Sequence, residues 1–174
     1  MTSFMDRVIG AAKLDVRIYE EVEADTTATG QAMAVVVLSS IAAGIGSGEG
    51  RYVIGAIGAL LGWGLWAFLC YVIGTKLLPE ANTKADVGEL LRTIGFAASP
   101  GILRVFGVLP LIGWLVMLVT GLWMLASTVV AVRQALDYTS TLRAVGVCIV
   151  GWLVLVTWGI FVALFVGGTT ALFG

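Results

Sequence analysis

The chain contains no histidine, two cysteines and three prolines, and only 12% of its 174 residues are charged. Without histidine it lacks the commonest general base and the commonest protein metal ligand. Cys70 and Cys148 lie in apolar runs without CxxC spacing, so neither predicts a metal or redox site. These absences argue against most enzymes and metalloproteins. We expect no catalytic residues, no cofactor and no metal.

An excess of basic charge is also absent, because the formal net charge is -1 and the pI is about 5.3. Nucleic-acid binding depends on clustered lysine and arginine, so nucleic acid is not an expected partner. Apolar residues dominate instead, at 59% of the chain with a mean hydropathy of +1.02. A soluble domain of this size leaves about 30% of its unfolded surface exposed. The composition therefore predicts that membrane lipids surround the chain.

Uncharged stretches predict transmembrane helices, since about 20 apolar residues cross a hydrocarbon core of about 30 Å. Residues 93–132 form a longer stretch whose only charge is Arg104. That stretch must fold back, and Gly107, Pro110 and Gly113 are the residues able to make the turn. The last stretch is also long, so it must tilt or loosen at Gly167-Gly168-Thr169-Thr170. We predict an all-α membrane bundle of about five helices, at residues 28–46, 52–74, 93–109, 111–132 and 144–172.

Residues 1–27 precede the first span and form a predicted N-terminal segment. Within it, Ser3 to Glu23 predict one amphipathic helix, because apolar side chains recur on one face at about 100° per residue. Leu14 falls outside this face, and Asp15 and Glu23 intrude on it. Acidic residues outnumber basic ones, so attraction to anionic lipid is weak. We expect the helix to dock under its own bundle or onto a partner.

Basic residues predict the orientation of the bundle, because they concentrate on the cytoplasmic side of membrane proteins. Eight of the ten fall on the N-terminal side of the five-span arrangement, and only Arg51 and Arg104 fall opposite. The sequence therefore predicts a cytoplasmic N-terminus and an external C-terminus.

A polar group interrupts the third predicted span, where Ser99 and Pro100 precede Arg104. Proline frees a backbone carbonyl in a helix, and charged residues at membrane depth are costly and often functional. These three residues form a candidate site for an anion or a substrate inside the bundle. The interpretation that we favour is simpler: Arg104 extends to the nearby interface beside the Gly107–Gly113 turn.

Two further groups are candidates for interaction or packing. Glu21 and Asp25 belong to an acidic stretch before the first span, which is either a docking or cation-binding surface or a solvated cap favoured by the helix dipole. Gly55, Gly58 and Gly62 recur on one face of the second span. Small residues at this spacing allow another helix to approach closely, which predicts a packing seam.

A series of short motifs runs along nearly the whole chain: Tyr19-Glu20-Glu21-Val22-Glu23-Ala24-Asp25 leading into residues 28–32, then residues 88–97, Ser99-Pro100-Gly101, residues 109–113 and residues 132–136. Their order resembles the YIP family, named for its Ypt/Rab-interacting members, and in particular its short prokaryotic representatives. The resemblance implies a five-helix membrane domain in a prokaryotic plasma membrane, with a cytoplasmic N-terminus. It also makes Arg92, within the second of these motifs, a candidate interaction residue.

The expected function is that of a non-enzymatic interaction or scaffold protein, which binds other integral membrane proteins or itself as an accessory subunit of a larger complex. Eukaryotic relatives act in vesicle traffic with Rab-type GTPases. The long proline-rich N-terminal region of many eukaryotic members is not found here, so a Rab-type GTPase is not an expected partner. The alternative is a small transporter or channel with a site near Pro100 and Arg104. An intramembrane enzyme is disfavoured, because no span contains a carboxylate pair and no serine or cysteine has a histidine partner.

Overall fold

The computed structural model describes residues 2–48, 50 and 52–173, with side chains up to residue 163. These residues form an all-α structure without strands, as the sequence predicts. A 3₁₀ turn precedes the third α-helix, a π-helical turn extends the fourth, and a 3₁₀ helix at Ser99–Val108 follows the fifth. The α-helices are α1 Phe4–Ala12, α2 Val16–Ala24, α3 Thr29–Ser47, α4 Tyr52–Val72, α5 Val87–Ala97, α6 Gly113–Ala135 and α7 Thr141–Phe173.

Four helices among the described residues are long and apolar enough to cross a membrane. They contain α3, α4, α6 and α7, so the prediction of a membrane helix bundle is confirmed. The predicted count of five is not confirmed, because the proposed span at 93–109 is not one apolar helix. It consists of the end of α5 and the 3₁₀ helix Ser99–Val108. We call the whole of α5 and this 3₁₀ helix the broken segment (residues 87–108).

The break follows from local chemistry at Pro100. The residue before a proline disfavours α-helical geometry, and proline has no N–H with which to continue the α-helical hydrogen bonds. The α5 helix accordingly ends at Ala97, and the Ser99 hydroxyl donates to the carbonyl oxygen of Phe96 at 2.6 Å. A tighter 3₁₀ helix then continues, with the amide of Gly101 donating to Ala98 at 2.9 Å.

The N-terminal segment contains two helices, so the prediction of one continuous amphipathic helix is wrong. Leu14 lies between them with a φ of 61°, in the left-handed region that an α-helix does not use. Asp15 then caps α2, since its carboxylate accepts a hydrogen bond from the amide of Arg17 at 3.1 Å. Two of the three residues that interrupt the amphipathic pattern, Leu14 and Asp15, therefore lie at the break.

The broken segment runs alongside α3 and in the same direction. A Cβ built on Gly95 would lie 2.6 Å from the Cβ of Ala32, and one built on Gly101 would lie 2.0 Å from the Ser39 hydroxyl. Further along, a Cβ on Gly46 would lie 2.0 Å from the carbonyl oxygen of Arg104. Glycines at these positions therefore allow the two segments to pack almost backbone to backbone.

The predicted glycine seam of α4 does not pack within the chain. No heavy atom lies within 4 Å of a Cβ built on Gly58 or Gly62, and the nearest atom to one on Gly55 is the Ser40 hydroxyl at 3.5 Å. All three glycines are exposed. Among the described residues this face therefore makes no tight contact, and the broken segment and α3 supply the close approach instead. A packing seam with another helix stays a prediction.

The bundle has two contrasting ends. We call the end formed by α1, α2 and the connections at 78–86 and 136–140 the polar end. The fully buried side chains of Tyr19, Leu90, Phe96 and Leu136 belong to the core there. By contrast, α7 has an exposed outer part at residues 152–163, in which every residue except Leu155 is exposed. The α7 helix continues without a break to Phe173, so the predicted loosening at 167–170 does not occur.

Candidate functional site

A cavity of about 400 Å³ lies among α3, α4, α6 and the broken segment. Most of its wall is apolar, and hydroxyl groups and two indole rings provide polar atoms. Arg104 is the only charged residue among the described residues that line it. The other lining residues are Val36, Ser39, Ser40, Ala43, Ala59, Gly62, Trp63, Trp66, Ile94, Ala98, Met124 and Thr128.

The side chain of Arg104 is half-buried and turns towards the inside of the bundle. Its Nη2 atom lies 3.7 Å from the position of a Cβ on Gly121, which is eight residues, or about 12 Å of helix, beyond the start of α6. Its Nε atom is inaccessible to solvent and has no hydrogen-bond partner among the described residues. The side chain therefore lines the cavity, and the favoured interpretation that it extends to the turn is not what the structure shows.

Ser99 and Pro100, which the sequence groups with Arg104, are buried but do not line the cavity. Their effect is indirect, because they end α5 and start the 3₁₀ helix on which Arg104 lies. The three residues are therefore close in the chain, but only Arg104 is placed to contact a molecule in the cavity.

The acidic residues predicted for partner binding contact an internal arginine. Arg7 is 2% exposed, and its Nη2 lies 2.8 Å from both Glu21 Oε1 and Asp25 Oδ2. Its Nη1 donates to the side-chain oxygen of Gln31 at 3.1 Å. Hydrogen bonds from Thr2 and then Arg7 hold the pKa of Glu21 below its ordinary value. These residues form the Arg7 network, which joins α1 and α2 to α3.

Arg92 also makes its contacts inside the chain. It is 5% exposed, and its Nε lies 3.0 Å from the carbonyl oxygens of both Val22 and Glu23. Its Nη2 donates to Glu23 as well. The last carbonyls of a helix lack intrahelical donors and carry partial negative charge, so a guanidinium is a favourable partner there. Arg92 therefore fixes the end of α2 against α5.

An acidic pocket of about 640 Å³ lies at the polar end, lined by Glu20, Glu23, Glu89 and Asp137 together with Arg133 and neighbouring residues. Burial, followed by repulsion from Glu89, Asp137 and Glu20, raises the pKa of Glu23 to about 7. Within the described part of the chain, no group of three or more histidine, cysteine or acidic side chains is placed to hold a metal ion. The raised pKa favours the protonated carboxyl of Glu23 in the folded chain.

Two features of the site were missed from the sequence. Arg7 lies on the polar face of an amphipathic pattern, which gives no sign that its side chain is buried. Ser39 and Ser40 carried a weak signal, since adjacent hydroxyls in an apolar span need polar surroundings. Both line the cavity with Arg104.

The chain matches no family model, no curated protein and no solved structure. The candidate sites therefore rest on their own geometry. The Arg7 network and Arg92 are satisfied within the chain. The cavity, the acidic pocket and the exposed helix surfaces have room for another molecule.

Proposed function

We propose that the chain is a non-enzymatic integral membrane protein that associates with other membrane proteins or with itself, as a subunit of a larger complex. The observation that carries this proposal is the exposed outer part of α7. Residues 152–163 cover every side of the helix for three turns, and all but one are exposed. At 33 residues, α7 is about 50 Å long and exceeds a hydrocarbon core of about 30 Å.

The exposed glycine face of α4 supports the same proposal. In lipid there is no hydrophobic drive between helices, so close contact at small residues supplies much of their association. The chain does not use Gly58 for such a contact, as no heavy atom lies within 4 Å of a Cβ there. A helix from another protein, or from a second copy, fits this face.

The proposal includes a topology and a location. We propose that the broken segment, which passes α3 from Ala32 to Gly46, is a fifth crossing beside the four apolar helices. The concentration of basic residues on one side of such an arrangement supports an N-terminus in the cytoplasm and a C-terminus outside. The resemblance to the YIP family supports this arrangement in a prokaryotic plasma membrane. Neither nucleic acid, which the net charge of -1 disfavours, nor a Rab-type GTPase is a proposed partner.

Affinity purification in mild detergent tests the association. The tagged wild-type chain should elute with another membrane protein, or as an oligomer. Gly58→Leu on α4, or Leu153→Ala on α7, should weaken that complex. Lys13→Ala, at an exposed position of the polar end, should leave it intact. A wild-type chain that is monomeric and alone in every mild detergent would refute the proposal.

A second candidate function is that of a small transporter or channel, favoured by the position of Arg104 on a discontinuous crossing. Broken helices commonly form substrate sites in transporters, where freed backbone groups face a cavity. Flux of an anion into liposomes should then be lost in Arg104→Gln and kept in Arg17→Gln. Equal flux in both variants would exclude a transport site at Arg104.

A further inference from the structure

We propose that the cavity binds an anionic amphiphile, with a phosphate or carboxylate group against Arg104 and an apolar body among α3, α4 and the broken segment. This inference is independent of association with partner proteins. It supplies the ligand class for the second candidate function.

The charge of Arg104 is the first step of the argument. None of the four ion pairs among the described residues includes Arg104, whereas Arg7 contacts two carboxylates. An arginine at membrane depth without a counter-ion is costly, and such arginines are commonly paired or functional. The buried Nε is a donor without an acceptor in the described structure. A ligand that brings a negatively charged oxygen would satisfy both the charge and the donor.

The wall of the cavity indicates what the rest of the ligand is. Beyond Arg104, the surface consists largely of apolar groups such as Val36, Ala43 and Ile94, with the rings of Trp63 and Trp66. The volume of about 400 Å³ falls in the range of small-molecule sites, about 300–1,000 Å³. A small inorganic ion would fill only part of it and would leave the apolar wall in contact with water. An anion with a hydrocarbon body matches both parts of the wall.

Polar atoms near Arg104 fit the head group of such a ligand. Ser39 and Ser40 line the cavity from α3. Thr128 lines it from α6, but its hydroxyl already donates to the carbonyl oxygen of Met124 at 2.8 Å. Serine hydroxyls donate hydrogen bonds to phosphate or carboxylate oxygens, which gives the head group partners besides the guanidinium. The site therefore combines one positive charge with two neutral donors from α3.

Ligand binding to the purified full-length chain in zwitterionic nanodiscs tests the proposal. The probes are a phosphatidic acid, palmitate, inorganic phosphate and hexadecanol, with binding measured by native mass spectrometry. We expect the phosphatidic acid or palmitate to bind at least tenfold more tightly than hexadecanol, which lacks the charge. Arg104→Gln should weaken that binding at least tenfold. Arg17→Gln should leave it unchanged, because the Arg17 side chain is 87% exposed and lies outside the cavity.

A second pair of variants tests the cavity without removing the charge. Gly62 lines the cavity with no heavy atom within 4 Å of a Cβ, so Gly62→Leu has room to fill it. Gly58, one turn earlier on α4, has the same free space but does not line the cavity. Gly62→Leu should abolish binding of the amphiphile and Gly58→Leu should preserve it.

Several outcomes would overturn the inference. Equal binding of hexadecanol would show that charge plays no part, and binding of inorganic phosphate alone would show that the apolar wall plays none. Unchanged binding in both Arg104→Gln and Gly62→Leu would place the ligand elsewhere. Loss of amphiphile binding in Gly58→Leu, with binding kept in Gly62→Leu, would likewise place the ligand outside the cavity.

Discussion

The polar end and the outer part of α7 differ in the contacts that their side chains make within the chain. At the polar end, side chains from distant parts of the chain bond to one another: the Tyr138 hydroxyl lies 2.7 Å from the carbonyl oxygen of Leu78, and Arg143 donates to that of Pro79 at 2.7 Å. In the outer part of α7, by contrast, Trp152, Leu153 and Trp158 are exposed. The polar end therefore holds distant parts of the chain together, whereas the outer part of α7 faces its surroundings.

The connections at the two ends of the bundle differ in the same way. The Glu80 carboxylate accepts hydrogen bonds from the amide and hydroxyl of Thr139 at 2.9 and 2.8 Å, which joins the connections at 78–86 and 136–140. At the opposite end, Leu111 lies in the turn before α6 with a φ of 71° and is 92% exposed. One end is fixed by polar contacts, while the other presents an apolar side chain to its surroundings.

The largest effect should come from glycines that pack backbone to backbone. Gly95→Ala would place a Cβ 2.6 Å from that of Ala32, so α3 and α5 must separate. We expect a loss of about 2–3 kcal/mol in unfolding free energy, measured by thermal or denaturant unfolding in detergent. Gly58→Ala is the matched control, since its Cβ meets no atom within 4 Å and alanine favours the helix. Similar losses in both variants would show that the two glycine faces do not differ.

The next effect should come from the Arg7 network. Arg7→Met leaves Glu21 and Asp25 without their guanidinium, and the expected loss is about 2 kcal/mol, typical of hydrogen bonds to charged groups. Arg17→Met is the control, because the Arg17 side chain is 87% exposed and pairs only with nearby Asp15 among the described residues. Unfolding of the two variants in the same detergent measures the difference. An Arg17→Met loss as large as that of Arg7→Met would contradict an internal role for the network.

A smaller effect should appear as a dependence of the folded chain's stability on pH. Burial raises the pKa of Glu23 from an ordinary value of 4.5 to about 7, so the folded chain holds a proton that the unfolded chain releases. The stabilising contribution is full below about pH 4.5 and is lost as the pH rises through about 7. Unfolding temperatures of wild type should fall between pH 5 and pH 8 by more than those of Glu23→Gln. Identical pH profiles in wild type and Glu23→Gln would show that Glu23 does not cause the pH dependence of stability.

The smallest effect should come from the outer part of α7. Leu153→Ala removes an exposed side chain that packs little within the chain, so the isolated protein should lose less than about 0.5 kcal/mol. Its unfolding in detergent, set against that of Gly95→Ala, measures the contrast directly. A loss comparable to that of Gly95→Ala would mean that this part of α7 contributes to the fold.

The positions of the long helices could be predicted from the sequence because length and hydropathy decide them. An uncharged run of about 20 residues has few alternatives in lipid, and α3, α4, α6 and α7 lie on such runs. The broken segment could not be predicted in the same way. Pro100 marks a weak point, but the sequence alone does not decide between a kink and a change to 3₁₀ geometry.

The roles of individual residues were harder to predict, because a pattern of spacing does not identify the neighbour. Gly55, Gly58 and Gly62 have regular spacing and no close contact, whereas Gly46 and Gly95 lack that pattern and pack tightly. Charged residues show the same limitation. A charge in an apolar stretch correctly marked Arg104 as unusual. The direction of its side chain, however, depends on the 3₁₀ helix on which the residue lies.

The most direct test of the contrast between the two regions is photo-cross-linking in living cells. A photoreactive residue is placed at position 153 on α7 or at position 17 on the polar end, both of which are exposed. We expect position 153 to cross-link to a membrane protein or to a second copy of the chain, and position 17 to form no such cross-link. Lipid adducts alone at position 153, or protein adducts only from position 17, would contradict this expectation.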